Sequence, residues 1–134
     1  MVWRIQSDSS NTRSLICTIL PPNIYLGNSL GYFIPIIFDK TKYVKPISNV
    51  ESLFLCGLLN SFPLDFLIRH KTVRNINNFH ILELPIPKFD KNNYLHRKIL
   101  ENSSMLICTT NEFQKLRDEI QITDALLEQA KQGR

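Results

Sequence analysis

LFLCGLLNSFPLDFLIRHKTVRNINNFHILELPIP, residues 53–87, is the stretch from which the rest of the chain is read. Leu53, Phe54, Leu55, Cys56, Leu58 and Leu59 are apolar nearly all round a helix, which predicts a helix buried on most sides. Pro63 ends or kinks it, because proline lacks the N–H of the helical ladder and clashes with the preceding turn. Leu64, Phe66, Leu67 and Ile68 restart an apolar segment that runs directly into Arg69, His70, Lys71 and Arg74. Buried scaffold thus hands over to cationic chain, an arrangement that holds a binding loop still. Residues 79–87 alternate in part (Ile81, Leu84, Ile86) and read as a short buried strand ended by Pro85 and Pro87.

Upstream of that stretch the pattern is that of strands. Residues 2–6 alternate apolar with Arg4 and Gln6. Residues 7–13, SDSSNTR, are turn-forming. Residues 15–20, LICTIL, are rich in strand formers and stop at Pro21-Pro22. Residues 30–38 read as one strand with an edge position or a bulge at Pro35. Residues 39–46 read as a basic loop carrying Lys40, Lys42 and Lys45. Ser48 and Glu51 have the spacing of a capping box in front of the apolar helix.

Downstream, residues 92–108 predict a helix with Leu95, Ile99, Leu100, Met105 and Leu106 as its stripe. Residues 111–129 predict a second, with Thr110 as N-cap and Phe113, Leu116, Ile120, Thr123 and Leu127 at steps of three and four. The expected fold class is α+β: a small mixed or antiparallel sheet packed on a buried helix pair, with two C-terminal helices. The expected division is a core at 1–90 and a helical tail at 91–134.

Composition narrows the function. The chain has 134 residues, 43% apolar, enough for one ordinary domain. Sixteen Lys and Arg against twelve Asp and Glu give +4, a modest excess that does not by itself select a nucleic-acid partner. Its position is more informative, since residues 69–74 hold three cations and a histidine with no acid until Glu83. Cys17, Cys56 and Cys108 lie far apart in apolar runs without ligand spacing, which reads as buried reduced thiols and no zinc. No signal-peptide pattern is present, and Asn60, Pro63 and Asp65 argue against a membrane span over 52–68. A cytoplasmic protein without a membrane partner is expected. Only four glycines occur, none in a nucleotide-binding loop, and HExxH, GxSxG and paired nuclease acids are missing. No catalytic residue and no metal ligand is expected; a binding module is.

Four motifs taken together carry a family resemblance. They are NTRSLICTILPPN (11–23), GNSLGYFIP (27–35), LLNSFPLDFLIRHKTVRNINNFHILELPIP (58–87) and the closing helices. Their order resembles the C-terminal target-recognition region, the TaqI-like specificity domain, of type II restriction-modification enzymes and adenine-N6 DNA methyltransferases. The LNS helix and the LPIP segment are also similar to type I specificity subunits. Asn11, Arg13, Pro21, Pro22, Asn60, Ser61, Asp65, Arg69, Asn78, Phe79, Leu84, Pro85 and Pro87 stand at the matching places. Thr12-Arg13-Ser14 and the basic, glycine-free 72–77 depart from the family pattern, so no base preference carries over.

The resemblance implies double-stranded DNA as partner. It also implies a parent polypeptide whose methyltransferase domain, with or without a nuclease domain, binds S-adenosylmethionine; this chain lacks that domain's glycines and NPPY motif, so no cofactor is expected in it. The alternative is an assembly module acting through the C-terminal helix pair.

The DNA-contact candidates follow from chemistry and resemblance together. Lysine and arginine on phosphates give affinity and register, whereas arginine and asparagine on base edges give sequence choice. Lys71, Arg74, Asn75, Asn77 and Asn78 supply both kinds, with Arg69 before them. Arg69 serves either there or as an ion-pair partner of Asp65 four residues earlier, and Asn78 either there or as a brace for the loop. Asn28 and Ser29 are placed near DNA by the resemblance, although a turn explains them equally. Lys42 is a phosphate contact or a solvated surface lysine. Arg13 is read as an internal brace, and Tyr25, Tyr32 and Tyr43 as packing residues.

Overall fold

The computed structural model describes residues 1–8, 10–71 and 74–121. The fold class is the expected α+β, with two small antiparallel sheets and helices packed on one another. β1 (Val2–Arg4) lies at the centre of a three-stranded sheet between β2 (Cys17–Thr18) and β3 (Leu30–Tyr32). In register, Trp3 faces Cys17 on one side and Gly31 on the other.

Trp3 is 1% exposed and explains the glycine opposite it. A Cβ at position 31 would lie 2.2 Å from Trp3 Cε2 and 2.3 Å from Cζ2. The indole therefore occupies the volume a side chain there would need. Gly31→Ala is expected to destabilise by about 1–3 kcal/mol through overpacking, measured by urea unfolding; an unchanged midpoint would contradict this seat for the indole.

The span 30–38 is two strands rather than one. β3 ends at Tyr32, and β4 (Ile37–Asp39) begins after Pro35 in a different sheet, because proline cannot donate to a continuing ladder. The expected basic loop at 39–46 is in fact the return of a hairpin: β5 (Lys42–Val44) pairs with β4. Lys40 takes the left-handed backbone, φ 46°, that a tight reversal needs.

α1 (Asn49–Leu59) carries the capping box at Ser48 and Glu51 as expected, and Ser48 draws the Glu51 carboxyl below its usual range by hydrogen bonding. The break falls at Asn60-Ser61, and Pro63 sits in the first turn of α2 (Phe62–Lys71), where its missing N–H is not needed. The two helices meet at 67°. Among the described residues no single helix is long and apolar enough to cross a membrane.

α1 is buried on two sides, as its all-round apolar surface requires. One core joins Trp3, Leu15 and Cys17 of the sheet side to Cys56 and Leu59 of α1 and Leu64 and Ile68 of α2. A second joins Leu53 to Cys108 and Phe113. α4 (Tyr94–Ile107) packs tightly on α1, with Ser103 Oγ donating to the Leu53 carbonyl at 2.8 Å. Of its predicted stripe, Ile99 and Leu100 turn inward, whereas Leu95 and Leu106 are exposed. A 3-10 turn (Asn111–Phe113) capped at Thr110 leads into α5 (Gln114–Ile120). Leu116 and Ile120 pack on the second core; Thr123 and Leu127 lie outside the described residues.

The predicted strand at 79–87 is a helix. α3 (Asn78–Leu82) buries Ile81, and extended chain follows only after Leu84. The spacing of three between Ile81 and Leu84 fits a helical turn, both residues join the first core, and the prolines stop the helix from continuing.

Candidate nucleic-acid interface

The site is built outward from a buried carboxylate. Asp65, in the first turn of α2, is 5% exposed. Its Oδ1 accepts from the backbone amides of Ser14 (2.9 Å) and Leu15 (2.7 Å). Its Oδ2 lies 3.4 Å from Arg13 Nε and 3.6 Å from Arg69 Nη2. Arg13 also donates to the Asn60 carbonyl at 2.5 Å and lies over the Phe62 ring at 4.8 Å. Arg69 also donates to the carbonyls of Asn11 (3.0 Å) and Thr12 (2.8 Å).

Asn60 completes the arrangement. Cys17 N–H donates to Asn60 Oδ1 at 3.1 Å, and Asn60 Nδ2 returns a bond to the Cys17 carbonyl at 2.8 Å. The Arg4 amide takes the Ile16 carbonyl on the opposite side, so Cys17's polar groups face the sheet edge. The asparagine amide thus stands in for a neighbouring strand and closes that edge. The strand predicted over 15–20 is two residues long, and side chains from α1's end and α2 satisfy the backbone groups of Ser14, Leu15 and Cys17 that a further strand would have paired.

Arg13 is therefore the brace it was expected to be, and Arg69 makes the helical ion pair with Asp65. Five of the motif residues, Asn11, Arg13, Asn60, Asp65 and Arg69, meet in one internal lock. Proximity of Asp65 and Arg69 was legible from their i, i+4 spacing; that Arg13 joins them depends on a contact 52 positions away, which no local pattern reveals.

Beyond the lock, β1 continues as an extended edge. Ile5 N–H donates to the Ser29 carbonyl at 3.1 Å, and the Ile5 carbonyl accepts from Ile76 N–H at 2.8 Å. Ser7 N–H donates to the Arg74 carbonyl at 2.6 Å, and Gln6 forms a bridge with Asn75. Trp3 Nε1 donates to the Ile76 carbonyl at 2.9 Å, a buried bond across 73 positions. Ile76 is fully buried, whereas Arg74, Asn75, Asn77 and Asn78 around it are exposed. The chain from 74 to 78 is thus fixed by its backbone and one buried isoleucine, with its polar side chains outward.

The Asn28-Ser29 turn and the 74–78 segment, distant in sequence, are brought end to end at Ile5. Asn77 is the N-cap of α3, its N–H donating to His80 Nδ1 at 3.1 Å, and Asn78 is that helix's first residue. Lys71 pairs with Glu83 at 2.8 Å, which holds the Glu83 carboxyl below its usual range. Lys42 stands apart on the hairpin. Asp8 follows Ser7 in the chain, and its carboxyl is lowered by hydrogen bonds from the Ser10 hydroxyl and amide.

One sequence expectation is corrected here. Of the tyrosines read as packing residues, Tyr25 is fully exposed and Tyr32 half-exposed, whereas Tyr43, though 77% exposed, packs its ring on Phe38. Tyr25 lies in the wholly exposed run 22–29, and Tyr43 on a strand that packs one face only.

All three cysteines are buried with free thiols. Hydrogen bonding to Cys56 at 3.6 Å and burial push the Cys17 thiol up, and burial pushes Cys108 to about 11, so neither has thiolate character at neutral pH. Among the described residues no group of three or more His, Cys, Asp or Glu is placed to hold a metal.

No protein-family model matches the chain, and no curated protein or solved structure is significantly similar to it.

Proposed function

We propose that this chain is a sequence-specific DNA target-recognition module, non-catalytic by itself, of a type II restriction-modification enzyme or adenine DNA methyltransferase. One observation supports it above the rest. Guanidinium and carboxamide groups at Arg74, Asn75, Asn77 and Asn78 project from a segment whose backbone is pinned to β1 and to the Trp3 indole. Arginine and asparagine are the side chains suited to bidentate contacts with guanine and adenine in the major groove. A reader of base edges must hold them in register, and that backbone provides the register.

In this reading Asn28 and Ser29 sit beside the reading segment and Lys42 contacts phosphate from the hairpin. Arg69 and Lys71 act mainly by holding the frame, through Asp65 and Glu83. S-adenosylmethionine belongs to the methyltransferase domain of the parent polypeptide, which would also be the module's partner.

Salt separates this from assembly through the C-terminal helices. If about three phosphates are neutralised, affinity for duplex DNA falls roughly 40-fold between 50 and 200 mM salt, measured by fluorescence anisotropy. Association that ignores salt, or that needs no DNA, would contradict the proposal.

A further inference from the structure

The β4–β5 hairpin has its own chemistry. Phe38 and Tyr43 are direct cross-strand partners, with ring centroids 5.2 Å apart and planes at 54°. They are 61% and 77% exposed. Side chains alternate along a strand, so Ile37, opposite Val44, points to the other face. Ile37 lines a cleft of about 300 Å³ with Met1, Phe33, Pro35, Ile47 and Leu55, which marks that face as the one turned to the body. The aromatic pair faces away from it.

Lys40 sits at the reversal, Lys42 on β5 and Lys45 just after it, against the single acid Asp39 between residues 37 and 47. Lys45 donates to the Asn49 side chain. Among the described residues neither Lys40 nor Lys42 enters an ion pair. A two-stranded hairpin gains little from exposing two large rings, and among the described residues it pairs with no other strand. Cations flanking an outward aromatic face are complementary to a polyanion that carries flat bases.

We propose that this hairpin is a second, sequence-independent DNA grip: Lys40 and Lys42 hold phosphates while the Phe38–Tyr43 face stacks on unstacked bases. The inference rests on the reading of the chain as a DNA binder but uses none of the residues assigned to base choice. It adds a contact for locally opened strand to a reader of duplex.

The test is fluorescence anisotropy of the full chain at 50 mM salt with a labelled mixed-sequence 20-mer, single-stranded and as duplex. Phe38→Ala with Tyr43→Ala is expected to weaken single-strand binding about tenfold or more, the scale of losing one base stack. Tyr43→Phe, which keeps the ring, should retain affinity, and Lys40→Ala with Lys42→Ala should flatten the salt dependence.

Hairpin variants that bind single strands like the parent chain overturn the grip. If the duplex still responds to Arg74→Ala with Asn75→Ala, the target-recognition reading survives that result. No binding to either oligonucleotide by the unaltered chain overturns the grip together with that reading. Hairpin variants that change only the sedimentation coefficient overturn it as well, and give the aromatic face to a protein neighbour.

Discussion

Asp65→Ala is expected to lower stability by about 3–5 kcal/mol, most of it from two buried amides left without an acceptor and the rest from two partly exposed arginines left without their counter-charge. Two consequences act together. The amides of Ser14 and Leu15, both buried, lose their acceptor, and an unsatisfied buried donor is destabilising by about 1–3 kcal/mol. Arg13, whose Nε is buried with no hydrogen bond, and Arg69 lose their common counter-charge. Asp65→Asn separates the two effects, because its carbonyl oxygen still accepts from both amides while the charge is gone; less than half the loss should remain. In urea unfolding the alanine variant should shift the midpoint down by roughly 2 M. A shift under about 0.5 M would mean that Asp65 does not hold the 11–15 chain to α2.

Trp3→Ala is expected to be about as damaging, near 3–5 kcal/mol, since it empties the largest buried side chain of the first core. Trp3→Phe is the more informative change. It refills most of the space above Gly31 but cannot donate to the Ile76 carbonyl. The expected result is a smaller global loss, about 1–2 kcal/mol, with disproportionately faster amide hydrogen exchange at Ile76, whose N–H bonds to Ile5. That pattern would show the indole acting as the post to which the 74–78 segment is tied. Equal acceleration across β1, α1 and this segment would contradict the tie and leave Trp3 as filler.

What could be read from the amino acids alone was local. The Ser48–Glu51 box, the all-round apolar α1 and the i, i+4 pair of Asp65 and Arg69 each occupy a few consecutive turns, and all three are present. Segments whose geometry is decided by distant partners read less well. Residues 79–87 look like a strand by alternation, yet Ile81 and Leu84 are drawn as one helical turn onto a core shared with Trp3 and Ile68. Residues 39–46 carry lysines as a solvated loop does, but the left-handed backbone at Lys40 lets Lys42–Val44 fold back on Ile37–Asp39.

The candidate site divides in the same way. Its residue types were visible, but their sorting was not. Arg69 and Lys71 look as available as Arg74 until Asp65, the Asn11 and Thr12 carbonyls and Glu83 are seen to engage them. The meeting of Ser29 with Ile76 at Ile5 leaves no trace in spacing, because β1 alone joins them.

The most direct test of target recognition by the 74–78 segment is selection of bound sequences from a randomised duplex pool. It is run with the chain and with its Arg74→Ala and Asn75→Ala variants at one low salt concentration. One enriched motif is expected for the unaltered chain, and a motif that shifts or loses definition at particular bases in each variant, each such base changing affinity by about 1–3 kcal/mol. Lys42→Ala should weaken all sequences alike and leave the motif intact. No enriched motif, or the same motif undiminished in both segment variants, would contradict target recognition by residues 74–78.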